Sequence, residues 1–290
     1  MAKDRWPELC KAVEEDDALL VWEDVGPWTE QKLYFWYRYL ETTTNAIVGH
    51  RKWPAGVAYV DLFAGAGVCT LKKSNRRVPG SVLIAAKMSK PFVKILACEK
   101  NPDFAKACRI RLSRTSVRSR CEVLVGDCNE RVHEIVDRIP KGALTLVFID
   151  PKGLDARFET IAALAQRRRV DFVSLFADAY DINRNAEYHY RRDPDSKLDQ
   201  VLGPDSGWRE KLDALSSPTG RNRRRLFADI YKDQLKRLLE FTHFGEKTIT
   251  CASGALYKLV YASHHKLGLK FWNEALRKEP SGQRSFRFSQ

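Results

Sequence analysis

No apolar run in the 290 residues approaches the length of a membrane span, which excludes a conventional transmembrane helix. The opening stretch MAKDRWPELC lacks the apolar segment of a secretory signal, so a soluble cytoplasmic protein is expected. Cysteine is sparse and unpatterned. Cys10, Cys69, Cys98, Cys108, Cys121, Cys128 and Cys251 make an odd number, and no two have C-x-x-C spacing. A disulfide framework and a zinc site are both disfavoured, and buried thiols in a reducing compartment are expected. There is no internal repeat. Acid is scarce relative to base, leaving a formal net charge of +13.

What is present starts with arginine. It is concentrated in RIRLSRTSVRSR (109–120), RRR (167–169) and RNRRR (221–225). Three separate clusters exceed what solubility requires and point to a polyanionic partner, nucleic acid first. A hydrophobic fraction of 44% is enough for a large core, as one embellished domain or two.

The order of elements is regular through the middle of the chain. Strands are expected over 57–63, 92–99, 121–127, 144–150 and 170–177. Helices are expected over 81–89, 102–114, 129–139 and 156–167. Apolar strands alternating with amphipathic helices imply a mainly parallel, doubly wound Rossmann-like sheet. An aromatic-rich helix over 29–44, with Thr29 as N-cap, falls in an N-terminal helical extension, 1–56. Residues 57–290 are expected to form the main domain. A polar stretch at about 179–225 reads as an insertion after the fifth strand, either loop or small subdomain. Beyond it a helix over 226–242, a candidate strand over 247–253, a strand over 255–263 and a helix over 269–278 are expected.

In such a sheet, ligands sit at the carboxyl ends of the strands. Those ends carry Asp61 with Gly65 and Gly67, then Glu99, Asp127, Asp150 and Asp178. Taken singly, each acid reads equally well as a helix cap or a solvated loop residue. Taken together with the glycine turn, they read as a shared ligand cleft. The turn is not a P-loop, because no G-K-[ST] follows. It is a poor dinucleotide fingerprint, because Thr70 occupies the third glycine position and Glu99 lies too far on.

Asp61, the two glycines, Glu99 and Gly126-Asp127 resemble the class I S-adenosylmethionine-dependent methyltransferases over roughly 57–177. That resemblance implies S-adenosylmethionine as cofactor. It implies that Asp61 and the turn Phe63, Ala64, Gly65 and Gly67 hold the methionine part. Glu99 would lie at the ribose and Asp127 at the adenine, with Lys100 and Cys128 as further cofactor-binding residues. A narrower resemblance spans most of the chain, to the three-Cys-motif partner (TcmP) proteins. It is carried by DVGPWTEQKLYFWYRYL, YVDLFAGAG, PGS (79–81), GDCNE (126–130), FIDPKG and LYKLVYASHHKLGLKFWNEAL. It implies a methyltransferase-like protein and a three-cysteine partner that resembles radical S-adenosylmethionine enzymes.

Asp150-Pro151-Lys152-Gly153 is similar to the D-P-P-Y exit of amino methyltransferases, matching the acid and the first proline. There the acid accepts from the target amine and the aromatic stacks on an extruded base. Asp150 and Pro151 are therefore the catalytic candidates. Lys152 stands where the second proline is expected, and TcmP-like sequences often carry an aromatic there. It could instead meet a phosphate. Phe176 or Tyr180 would then supply the stacking, and Arg223 and Arg224 further substrate contacts. Alternatively, Asp150 caps a helix starting near Ala156 and Pro151 shapes the turn. His264 and His265 are candidates for a rim base, and Trp28, Trp36 and Tyr37 for base stacking or plain packing. The leading expectation is a methyltransferase acting on a nucleic-acid amino group, RNA before DNA. A non-catalytic accessory subunit is the second, and a nicotinamide oxidoreductase the third.

Overall fold

The computed structural model describes residues 4–14, 21–167, 169–176, 190–217, 219–251 and 254–280. Among them, seven strands form one mostly parallel sheet. In chain order the strands of the whole structure are β1 (Glu23–Val25), β2 (Val57–Asp61), β3 (Val68–Leu71), β4 (Arg77–Pro79), β5 (Lys94–Glu99), β6 (Cys121–Val125), β7 (Leu144–Ile149), β8 (Val170–Phe176), β9 (His243–Cys251) and β10 (Gly254–Ser263). The large sheet runs β6-β5-β2-β7-β8-β10-β9. β2 pairs in parallel with β5 and β7, and β5 with β6, whereas β10 is antiparallel to β8 and β9. This is the expected Rossmann-like α/β fold, with an antiparallel pair closing one end. Every residue of β2, β7 and β8 is buried, while β6 and β9 at the edges are mostly half-exposed. Continuous apolar runs mark central strands for that reason.

The chain resolves into two compact units, residues 1–148 with 270–290, and residues 149–269. In the first, helix α1 (Trp6–Glu14) precedes β1, and α2 (Trp28–Ile47) follows it. α2 begins one residue before Thr29, behind Pro27, whose φ of −61° already suits a helix start. Thr29 is therefore inside the helix, its N–H donating to the Gly26 carbonyl at 3.0 Å, and no side chain caps this end. Tyr34, Phe35, Trp36, Tyr37 and Tyr39 are all buried to 1% exposure or less. Trp36 stacks on Phe148 with centroids 4.6 Å apart and donates its indole N–H to Tyr59. Trp36 and Tyr37 are thus core residues, each worth roughly 1.5–3 kcal/mol by burial. Trp28 is half-buried and folds over Gly26. A second, three-stranded sheet, β1-β3-β4, was not expected from sequence. Its strands have three or four residues, too few to show a period. Helices α3 (Ser81–Ala86), α4 (Pro102–Ser113) and α5 (Cys128–Arg138) alternate with the long strands as expected.

The second unit holds α6 (Phe158–Ala165), β8, α7 (Lys197–Leu202), α8 (Trp208–Asp213), α9 (Gly220–Leu239), β9 and β10. The described part of the insertion is helical. Asp199 organises it, accepting from Arg209 at 2.6 and 2.8 Å, Trp208 Nε1 at 2.7 Å and Ser196 Oγ at 2.6 Å. α9 starts at Gly220, six residues before the apolar stripe expected at 226, because Thr219 caps it through the Asn222 N–H. RNRRR is consequently the helix's own first turns. Helix α10 (Lys266–Ala275) ends the regular structure, and Trp272 packs edge-on against Tyr39 at 5.9 Å.

Candidate functional site

The glycine turn after β2 is held at almost every residue. Phe63 N–H donates to Asp61 Oδ1 at 3.3 Å, Ala64 N–H to the Cys98 carbonyl at 3.0 Å, and Gly65 N–H to Glu99 Oε2 at 2.8 Å. Gly65 and Gly67 have φ of +60° and +85°, where side chains are strained. Gly80, in the PGS stretch, donates to the Gly67 carbonyl at 2.8 Å, and a Cβ at Gly80 would come within 3.0 Å of that backbone. PGS is therefore the floor of the turn.

Asp61 is fully buried. Its Oδ2 accepts from the Tyr59 hydroxyl at 2.7 Å, and Tyr59 in turn receives Trp36 Nε1 at 3.1 Å. Burial, and then the Asp61 carboxylate, push the Tyr59 phenol well above its usual range, so it stays a donor. Asp61 is thus bonded to the turn from beneath, through the Phe63 amide. Ala64, Gly67 and Cys128 are buried as well, while Phe63 and Gly65 are half-open.

The exits of β2, β5 and β6 are joined. Glu99 uses one lone pair of each carboxylate oxygen, Oε2 on Gly65 N–H and Oε1 on Asn101 N–H, both at 2.8 Å. Each oxygen keeps acceptor capacity for a hydroxyl. Gly126 N–H donates to the Glu99 carbonyl at 3.0 Å, and Lys100 Nζ reaches Asp127 Oδ2 at 3.1 Å. Asp127 also caps α5 through Asn129 N–H at 2.9 Å, so the helix-cap reading holds for this acid. Burial works to raise its carboxyl, but the Asn129 and Lys100 bonds outweigh it and hold it below the usual carboxylate range.

Two residues at the turn were missed. Arg111 was counted in a surface arginine cluster but is 2% exposed. Its Nη1 donates to the Ala66 and Val21 carbonyls, both at 2.7 Å. Its position beside Cys108 and Leu112 on the buried stripe of α4 was the available signal. Glu23 comes from β1, which pairs with β3 so that Glu23 lies opposite Cys69. A Cβ at Gly65 would stand 2.9 Å from Glu23 Oε2. No local pattern marks that residue.

At the β7 exit, Asp150 is half-buried, Pro151 buried and Lys152 exposed. α6 starts at Phe158 behind Arg157 with no side-chain cap, so Asp150 is not its cap. Phe176 is 2% exposed and stacks on Tyr231 with centroids 5.2 Å apart. It is a core ring and not a base-stacking one. Tyr180 and Asp178 lie outside the described residues. Arg223 and Arg224 are half-buried in the first turns of α9. His264 packs on Phe241 at 4.0 Å with its Nε2 3.0 Å from the Leu239 carbonyl, and His265 Nδ1 accepts from Leu267 N–H at 3.1 Å at the start of α10. His264 is half-buried and His265 exposed.

Among the described residues no group of three or more His, Cys, Asp or Glu is placed to hold a metal ion, and no helix is long and apolar enough to cross a membrane. All seven thiols are free. Burial pushes Cys10 and Cys98 up to about 12 and Cys121 to about 11, which keeps them protonated and unreactive.

No protein-family model and no curated protein sequence matches the chain. Solved structures of similar path include an O-methyltransferase of Bacillus cereus in complex with SAH, 12% identical, covering 91% of this chain and 92% of that one, TM-score 0.46. The O-methyltransferase TomG of Streptomyces achromogenes in complex with SAM is 14% identical, with coverage of 91% and 92% and a TM-score of 0.43. The METTL16 MTase domain is 11% identical, with coverage of 89% and 79% and a TM-score of 0.46. Likeness of this degree concerns chain path alone.

Proposed function

We propose that the protein is an S-adenosylmethionine-dependent methyltransferase acting on an amino group of nucleic acid, RNA in preference to DNA. The observation that carries the reading is the joined exit of β2, β5 and β6. A glycine turn that excludes side chains sits bonded to a carboxylate that still has acceptor capacity. The donor set fits the cofactor. Glu99 would accept from ribose hydroxyls, Asp127 from the adenine amino group, and Gly65 and Phe63 would border the methionine part. When bound, S-adenosylmethionine supplies a sulfonium-activated methyl group, and the protein's task is positioning. Asp150 would accept the N–H of the target amine, turning the nitrogen lone pair toward the methyl. Pro151 would fix the backbone beside it.

The nucleic-acid part rests on arginine placement. α9 has basic residues and no acid in its first turn, the reverse of what the helix dipole favours. Such an arrangement is explained by an anion arriving from outside. In the first unit, an open groove of about 670 Å³ runs along β6, lined in part by Arg109, Arg118, Arg131 and Arg138. Arg131 and Arg138 also pair with Glu134.

The test is transfer of labelled methyl from S-adenosylmethionine to an RNA pool and to a DNA pool. Counts in RNA that disappear with Asp150→Ala support the reading; no counts in either pool reject it. One observation favours a second reading, a non-catalytic partner subunit. Lys152 replaces an aromatic and Phe176 is locked in the core, so neither position stacks a base. We also propose, on the TcmP motif resemblance, a complex with a three-cysteine-motif protein. Copurification of the two chains checks it, and activity of that complex surviving Asp150→Ala would favour the accessory role.

A further inference from the structure

We infer that the tip of the β3–β4 hairpin, KKSNRR (72–77), binds backbone phosphates of the nucleic-acid substrate through Lys72 and Lys73. The inference rests on the nucleic-acid part of the reading above and adds a contact outside the three arginine clusters. The hairpin is rooted in the glycine turn. β3 begins at the residue after Gly67, β4 leads into Gly80, and the Gly80 N–H bond to the Gly67 carbonyl closes the base. The four residues of β3 carry the tip roughly 13 Å from the turn. A nucleic acid whose target nucleotide enters at the turn would bring its flanking phosphates to the tip.

Four cations and no acid stand in these six residues, and they divide into two pairs. Arg76 forms an ion pair with Glu30, and Arg77 lies over the Trp22 ring at 4.6 Å, so both serve the fold. Lys72 and Lys73 are exposed, and among the described residues neither side chain has an ion-pair partner. Their backbone is fixed all the same. Leu71 N–H donates to the Arg76 carbonyl at 2.9 Å, Asn75 N–H to the Leu71 carbonyl at 3.0 Å, and Lys72 N–H to the Val25 carbonyl of β1 at 2.8 Å. Lys73 has a φ of +78°, a left-handed conformation that glycine or asparagine enters readily and lysine does not. Asn75, at +53°, is the residue type that conformation favours. A lysine kept at the strained position is explained by what its ammonium meets. The other side chains at the tip identify that partner. Residues 72–77 include no apolar group, so the tip offers neither the apolar anchor of a protein interface nor the apolar face that enters a membrane. Lysine, serine and asparagine are phosphate- and sugar-contacting types.

Fluorescence anisotropy of a labelled oligouridine tests the inference, titrated at several salt concentrations with the wild type, Lys72→Gln/Lys73→Asn and Lys52→Gln/Lys141→Gln. The last pair removes the same charge from exposed lysines ahead of β2 and β7, at the amino ends of the strands. The hairpin variant is expected to bind about tenfold more weakly and to lower the salt slope by about 1.4, the worth of two single-strand phosphate contacts. The control pair is expected to lose far less. Lys73→Gly, which relieves the left-handed residue, is expected to melt at or above the wild-type temperature and still to lose affinity, an outcome a merely structural lysine does not give. Equal loss in the two double variants would reduce the effect to net charge and overturn the inference. So would unchanged affinity or slope in the hairpin variant, or a loss with poly-glutamate as large as with oligouridine, which would assign the tip to an acidic protein. If the folded wild type does not bind oligouridine, the nucleic-acid reading itself fails and takes this inference with it.

Discussion

Asp61 and Asp150 look alike in sequence. Each follows an apolar run at the carboxyl end of a parallel strand, and β2 and β7 are paired so that Asp61 lies opposite Phe148. The structure separates them. Asp61 has no exposure, and its oxygens bind Tyr59 and the Phe63 amide, whereas Asp150 is half-buried and does not cap the helix that follows. An acid at a strand exit thus has two quite different uses. One is bonded to the backbone of a turn from the core side, and the other is half-buried at the exit of β7. Exposure distinguishes them, and the residue letter does not.

The sharpest break of that comparison is stability. Asp61→Ala leaves the Tyr59 hydroxyl without its buried acceptor and is expected to cost roughly 2–4 kcal/mol in urea unfolding. Tyr59→Phe should cost about 1 kcal/mol by the same measurement. Asp150→Ala, at a half-buried position, should cost clearly less stability than Asp61→Ala while abolishing methyl transfer. Equal stability losses at Asp61 and Asp150 would erase the distinction.

Ligand affinity sharpens it next. Glu99→Gln is expected to weaken S-adenosylmethionine binding about tenfold, read by calorimetry, with the fold intact. A smaller effect is expected at acid pH in the second unit. Bonds from Arg209, Ser196 and Trp208 outweigh the burial that would raise Asp199, so its folded carboxyl lies below the usual carboxylate range. The stabilisation is complete above the unfolded value and is lost as pH falls through the lower folded value. Asp199→Asn should therefore flatten the acid limb of the unfolding midpoint against pH below about 4. An acid limb as steep as that of the wild type would remove Asp199 as its source. The smallest effect is at Arg224. Its replacement by alanine should reduce the salt slope of RNA binding by about one and leave stability unchanged. An unaltered slope would take that arginine out of the polyanion surface.

Much of the fold was legible because long central strands carry their burial in composition. The five apolar runs between 57 and 177 all proved to be strands. β1, β3 and β4 were not legible, since three or four residues carry no period. The start of α9 was hidden because its first turns are arginine and show no apolar stripe. At the site, the glycines and Glu99 were legible because backbone conformation and strand exit both constrain them. Glu23 was not, because its relation to Gly65 is created by pairing across more than forty residues of chain. Arg111 was misread as surface because the arginine run masked the one position on the buried face of α4. Phe176 was misread for the opposite reason. An aromatic at a strand end has the composition of a stacking platform and of a core ring alike, and Tyr231 decides it.

The most direct test of the central claim is calorimetric titration of the folded protein with S-adenosylmethionine, run alongside Glu99→Gln and Asp150→Ala, with NADH as the control ligand. The account predicts saturable binding at one site, weakened about tenfold in Glu99→Gln, intact in Asp150→Ala, and no binding of NADH. Absence of saturable binding by the folded wild type, or equal affinity in Glu99→Gln, would contradict it.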